Sequence, residues 1–117
     1  MVSAETVRQL ALALPETEEE PHFALHSFRI KKKIYATLNP PEQRATLRLS
    51  PDMQDIFSAI GKGAIFRVPN KWGSYGWTNV RLDLVELELL RDALQIAWRE
   101  VAPAVFRKKY PAQYLDE

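Results

Sequence analysis

Three strand-like runs follow one another between residues 23 and 49, joined by links too short for anything but hairpins. Phe23 and Leu25 alternate with Ala24 and His26, and Phe28 and Ile30 flank Arg29. Lys31-Lys32-Lys33 separates this run from Ile34-Tyr35-Ala36-Thr37-Leu38, which puts the lysines at or near a hairpin tip. Asn39-Pro40-Pro41-Glu42-Gln43 has the composition of a turn, because proline removes a ladder donor and fixes φ. A third strand runs from Ala45 to Leu49, with Leu47 and Leu49 on one face and Thr46 and Arg48 on the other. Parallel neighbours need a crossover of about a dozen residues or more. These runs therefore predict an antiparallel sheet.

Helical patterns bracket the strands. Ser3 caps a first helix with Glu5 in its first turn, and Val7, Leu10, Ala11 and Leu14 form its apolar stripe up to Pro15. The acidic run Glu16 to Glu20, ending at Pro21, reads as an exposed connector. Ser50-Pro51-Asp52 starts a second helix, in which Met53, Ile56, Phe57 and Ile60 fit the i, i+3, i+4, i+7 template and Gly61 supplies a left-handed stop. Ala64 to Val68 and Trp77 to Leu84 are the fourth and fifth strands, the latter with Thr78, Val80 and Leu82 on one face and Trp77, Asn79 and Arg81 on the other. The longest helix runs from about Val85 to Val101, its broad stripe carried by Leu87, Leu90, Leu94, Trp98 and Val101. Phe106 to Pro111 is amphipathic and suits another helical turn. The order is α-β-β-β-α-β-β-α, an α+β fold of two layers in which helices pack an antiparallel sheet.

At 117 residues the chain is expected to be a single domain over 1–117. It has no cysteine, which excludes disulfides, zinc knuckles, iron–sulfur clusters and a thiol nucleophile. No stretch nears the ~20 apolar residues of a membrane span, so a cytoplasmic location with no membrane partner is expected. A net charge of +1 conceals segregation: residues 1–20 carry −4, residues 21–81 carry +7, and residues 82–117 carry −2. A basic middle of that kind attracts polyanions even in a nearly neutral chain.

Phe28-Arg29-Ile30, Lys33, Tyr35-Ala36-Thr37-Leu38 and Leu47-Arg48-Leu49-Ser50-Pro51 carry a resemblance to the MmcQ/YjbR family of small bacterial proteins. It continues through Val68-Pro69, Lys71-Trp72-Gly73, Gly76-Trp77-Thr78, Val80, Leu82, Ala97-Trp98 and Val101-Ala102-Pro103, and so covers roughly residues 3–105. The chain departs from that pattern at Lys32, where such sequences commonly place glycine in the hairpin turn. The resemblance implies the same element order, a fold similar to type III secretion chaperones, and a double-wing DNA-binding role.

Three candidate sites follow from the residues. Arg29, Lys31, Lys32 and Lys33 at a protruding tip suit phosphate contacts, although lysines there also guard a sheet edge; Lys62, Arg67, Lys71 and Arg81 extend the patch if the fourth and fifth strands present them on the same side. The loop Asn70 to Trp77 places Trp72 beside Lys71 among glycines, a composition that stacks bases or covers a small-molecule pocket. Trp77 is expected in the core, at the start of its strand. His22 and His26, four residues apart on one strand, would share a face ~13 Å apart, too far to chelate one metal. No nucleophile, base and acid stand in a recognisable arrangement, and the chain reads as a non-enzyme without cofactor or metal. DNA is the leading partner. The alternatives are a protein or peptide partner or self-association, suggested by the last helix, and a small molecule under the Trp72–Trp77 loop.

Overall fold

A computed structural model describes residues 1–111. Its elements are α1 (Ala4–Leu12), β1 (Glu18–His22), β2 (Leu25–Ile30), β3 (Lys33–Asn39), β4 (Arg44–Arg48), α2 (Pro51–Gly61), β5 (Ile65–Arg67), α3 (Lys71–Ser74), β6 (Trp77–Arg81), α4 (Leu87–Val101) and α5 (Ala104–Lys109). The strands form one antiparallel sheet in the order β1-β2-β3-β4-β6-β5. The α+β class and the expected order hold, with β1, α3 and α5 added. No helix among the described residues is long and apolar enough to cross a membrane.

Helices α1, α2 and α4 cover one face of this sheet. Phe28, Ala36, Leu38, Ala45, Leu47, Val80 and Ile65 point into that layer and are essentially fully buried. They meet Val7 and Ala11 of α1, Phe57 of α2, and Leu90, Leu94 and Trp98 of α4. Burying each large side chain contributes about 1.5–3 kcal/mol. The Trp98 indole donates to the Pro15 carbonyl at 2.8 Å, so its polar end is satisfied inside the core. Leu90, Leu94 and Trp98 of the expected α4 stripe are thus used within the molecule, while Leu87 at its start is about half exposed.

The caps behave as their residue types dictate. Ser3 Oγ accepts from the Thr6 amide at 3.1 Å, and Ser50 Oγ accepts from the Met53 amide at 3.2 Å. At the end of α2 the left-handed residue is Lys62, not Gly61. Gly61 is small for a different reason: a Cβ there would sit 2.9 Å from the Ile65 side chain.

Five further expectations are corrected. The acidic connector is the edge strand β1: Glu18, Glu19 and Glu20 pair with Arg29, Phe28 and Ser27. Its residues carry no apolar alternation because an edge buries little, and Pro21 is tolerated there because its missing N–H costs no central ladder bond. Phe23 and Ala24 form the turn that follows, with Phe23 at φ 58° and 94% exposed. His22 and His26 therefore lie on neighbouring strands and opposite faces, because Pro21 is the partner of His26 and Leu25 that of His22. In α2 the buried face is Gln54 and Phe57, while Ile56 and Ile60 are about half exposed. Trp77 faces away from the helices, since its partner is Arg48 while the alternate residue Thr78 pairs with buried Leu47.

A β-bulge shapes β3. Phe28 pairs with Ala36 and the next residue, Arg29, pairs with Ile34, leaving Tyr35 unmatched. Tyr35 and Ala36 consequently both face the helices. The Tyr35 hydroxyl donates to the Ala11 carbonyl at 3.1 Å and lies 3.0 Å from Thr17 Oγ1. Burial holds this phenol well above its ordinary pKa.

Candidate functional site

Two features remain once the core is assembled: the β2–β3 tip and the sheet face that the helices leave open. Lys31 and Lys32 are the two turn residues of the β2–β3 hairpin, with φ of 49° and 68°. Two left-handed residues in succession match the twist of the flanking strands and make a tight, projecting turn. Lys31, Lys32 and Lys33 are all exposed on it. The Lys31 ammonium lies 5.6 Å from the centroid of the Phe106 ring, a cation–π contact that seats α5 against the tip. Lys108 and Lys109, exposed on α5, belong to the same helix. Arg107 is half-buried, its guanidinium donating to the Ala102 carbonyl.

The other predicted cations are distributed unevenly. Arg29 is engaged beside the tip: its Nε donates to Ser27 Oγ at 2.9 Å and lies 3.6 Å from Glu20 Oε2. Lys71 and Trp72 open α3, just before the end of β6 that adjoins the tip end of β3. That end of β6 is two strand spacings from β3, or ~10 Å. The Lys71 ammonium is 5.9 Å from the Trp72 ring centroid, and Trp72 is 53% exposed. Arg81 does not join this group. Its partner Arg44 pairs with Asn39 at the far end of β3, six residues and ~20 Å from Lys33. Arg81 is also held by Asp83 at 2.8 Å, and this contact keeps the Asp83 carboxyl below its ordinary pKa.

The open face carries a groove of about 580 Å³. One cross-strand row, Thr37–Thr46–Asn79, forms its floor by direct pairing of neighbouring strands. Trp77 and Trp72 stand at one end, Arg44 and His22 toward the other. Thr46 donates its hydroxyl to Asn79 Oδ1 at 2.9 Å, which leaves the Asn79 amide nitrogen without a hydrogen bond among the described residues. The Arg44 guanidinium is half-buried and makes no hydrogen bond or ion pair among them. Arg48, opposite Trp77 on this face, keeps Nη1 buried without a partner.

The tryptophan end is held by packing and by one buried amide. Gln54 Nε2 lies 3.0, 3.1 and 3.0 Å from the Gly73 carbonyl, the Trp77 carbonyl and Thr78 Oγ1 respectively, and Oε1 accepts from Arg67 at 3.2 Å. Gly73 and Gly76 make the close approaches: a Cβ would fall 1.9 Å from the Val68 carbonyl oxygen at the first and 1.8 Å from that of Leu49 at the second. This glycine-containing loop is closely packed. It walls an open groove.

Chemically, this protein presents an exposed lysine cluster and, apart from it, a groove with aromatic walls and unpaired donors. The first was half visible in the sequence; Lys108 and Lys109 were missed because only the Lys31–Phe106 contact joins them to the tip. In the groove, Arg44, Thr37, Thr46 and Asn79 were missed because their meeting depends on strand register. The alternation of Thr46 with Leu47 and of Asn79 with Thr78 was the available signal. Among the described residues no group of three His, Asp or Glu could hold a metal ion.

A family model described as YjbR matches residues 12–100. The crystal structure of the Deinococcus radiodurans protein DR2400, which carries the DUF419 domain, is similar with a TM-score of 0.77 at 21% identity. The likeness covers 93% of this chain and 88% of that one, and at such identity it speaks for the fold. No curated protein matches the chain.

Proposed function

The chain belongs to the YjbR family, and on that footing we propose that it binds nucleic acid, duplex DNA first, through phosphate contacts with little base specificity. The observation that carries this reading is the Lys31–Phe106 contact, which sets α5 against the hairpin tip. Lys31, Lys32, Lys33, Lys108 and Lys109 then form one exposed basic end. Flexible lysines hold phosphate as point charges and carry no base readout of their own, which supports low specificity. Lys71 and Trp72 flank this end. Arg29 and Arg81 leave the interface because each is engaged by a neighbouring carboxylate.

Five phosphate contacts predict a slope of about −4.5 for log affinity against log salt, and hence about a 500-fold loss between 50 and 200 mM. Titration of labelled duplex by fluorescence anisotropy measures that slope. Replacing Lys108 and Lys109 by alanine should lower its magnitude by about two. Absence of binding at 50 mM salt, or binding unchanged when Lys31, Lys32 and Lys33 are all glutamate, would refute the reading.

A further inference from the structure

The open-face groove is not part of the basic end, and none of the five lysines lines it. Its volume of about 580 Å³ lies within the ~300–1,000 Å³ usual for small-molecule sites. The charges around it are unbalanced in one direction. Arg44 and Arg81 face each other across β4 and β6, an unfavourable pairing of like charges. Asp83 neutralises Arg81, Arg44 has no counter-charge, and no carboxylate lines the groove. The Asn79 amide nitrogen adds an unpaired donor at the floor. Trp77 stands opposite Arg48, four residues along β4 from Arg44, so aromatic and cationic ends are separated by ~13 Å of strand. The reach of the arginine side chain shortens that gap to the length of a mononucleotide.

We infer that this groove binds a small planar aromatic anion of nucleotide size, its ring against Trp72 and Trp77, its acceptor edge toward Asn79 and its anionic group on Arg44. Donors without partners select an acceptor-rich ligand, and a guanidinium without a counter-charge selects an anion. The small side chains of the Thr37–Thr46–Asn79 row leave room above the sheet for a flat ring.

The test uses the full chain, with tryptophan fluorescence as the readout and AMP, adenosine, ribose 5-phosphate and 2-naphthoate as probes. Saturable quenching by AMP or 2-naphthoate is expected, with adenosine about 10-fold weaker than AMP and ribose 5-phosphate silent. Arg44→Met should bring AMP down to the adenosine level, and Trp72→Ala should weaken both. Amide shifts at Thr37, Thr46 and Asn79 on AMP addition would place the ligand. Lysine-to-glutamate changes at Lys31, Lys32 and Lys33 should leave AMP affinity unaltered, which separates this site from the DNA reading. No saturable quenching by either planar anion, equal affinity for AMP and adenosine, or indifference to both groove variants would overturn the inference.

Discussion

Gln54 is buried to 1% exposure and ties α2 to the loop that walls the groove, so Gln54→Leu tests how that wall is held. Leucine has a similar volume and removes only the amide. The two N–H groups are shared among three carbonyl or hydroxyl oxygens, and none of these is orphaned by their loss. Gly73 O still receives the Gly76 amide at 3.0 Å, Trp77 O still receives the Val68 amide at 3.1 Å, and Thr78 Oγ1 still donates to Gly76 O at 2.9 Å. Arg67, an exposed residue, returns to water. At about 0.5–1.5 kcal/mol for each net hydrogen bond, the loss should be about 2–4 kcal/mol. Urea unfolding followed by circular dichroism should show that loss as a lower midpoint with unchanged slope. Hydrogen exchange should lose protection first at Gly73, Tyr75 and Gly76, whose amides lie beside the broken contacts. Gln54→Glu should be worse than leucine, because it aims a carboxylate at two carbonyl oxygens. A Gln54→Leu protein within 0.5 kcal/mol of wild type, with the loop still protected, would show that the amide does not hold this wall.

Three further outcomes follow from single residues. Gly76→Ala combines φ +110° with a Cβ 1.8 Å from the Leu49 carbonyl oxygen, and should cost more than about 3 kcal/mol by urea unfolding. Lys32→Gly relieves a left-handed non-glycine residue and should stabilise the fold by about 1 kcal/mol, while lowering the salt slope for DNA by about one. Tyr35 has a raised folded-state pKa, so its contribution is fully present below the unfolded value near ~10 and is lost as pH rises above it. Stability should fall there by about 1.4 kcal/mol per pH unit from this group. Tyr35→Phe should flatten that dependence, and absorbance at 295 nm should show one tyrosine ionising only as the chain unfolds.

Local chemistry made much of the fold legible. Ser3, Ser50 and Pro51 fixed helix starts because caps act within three residues, and the period-two runs of β4 and β6 announced their faces. Long-range facts were not legible. Glu18 to Glu20 looked like a connector because an edge strand needs neither apolar alternation nor β-branched residues. Ile56 and Ile60 matched a helical stripe, yet Gln54 occupies the buried face because Gly73, Trp77 and Thr78 supply its partners. The lysine tip was visible as three adjacent charges, whereas its continuation on α5 depends on an aromatic contact across 75 positions of sequence. The groove floor needed the register of three strands at once, and no local pattern encodes register.

The unmatched Tyr35 changes what counts as a neighbour along β3. Ile34 lines the groove on an even number, while Thr37 lines it on an odd one, so the strand behaves as two reading frames spliced at one residue. Deleting Tyr35 would merge the frames without turning either half over, because Ile34, Ala36 and Thr37 would then alternate as a regular strand. What such a deletion removes is the second of two adjacent inward side chains, and with it the hydroxyl that reaches Ala11 and Thr17. Between the lysine tip and the threonine floor, the count of residues is itself a structural element.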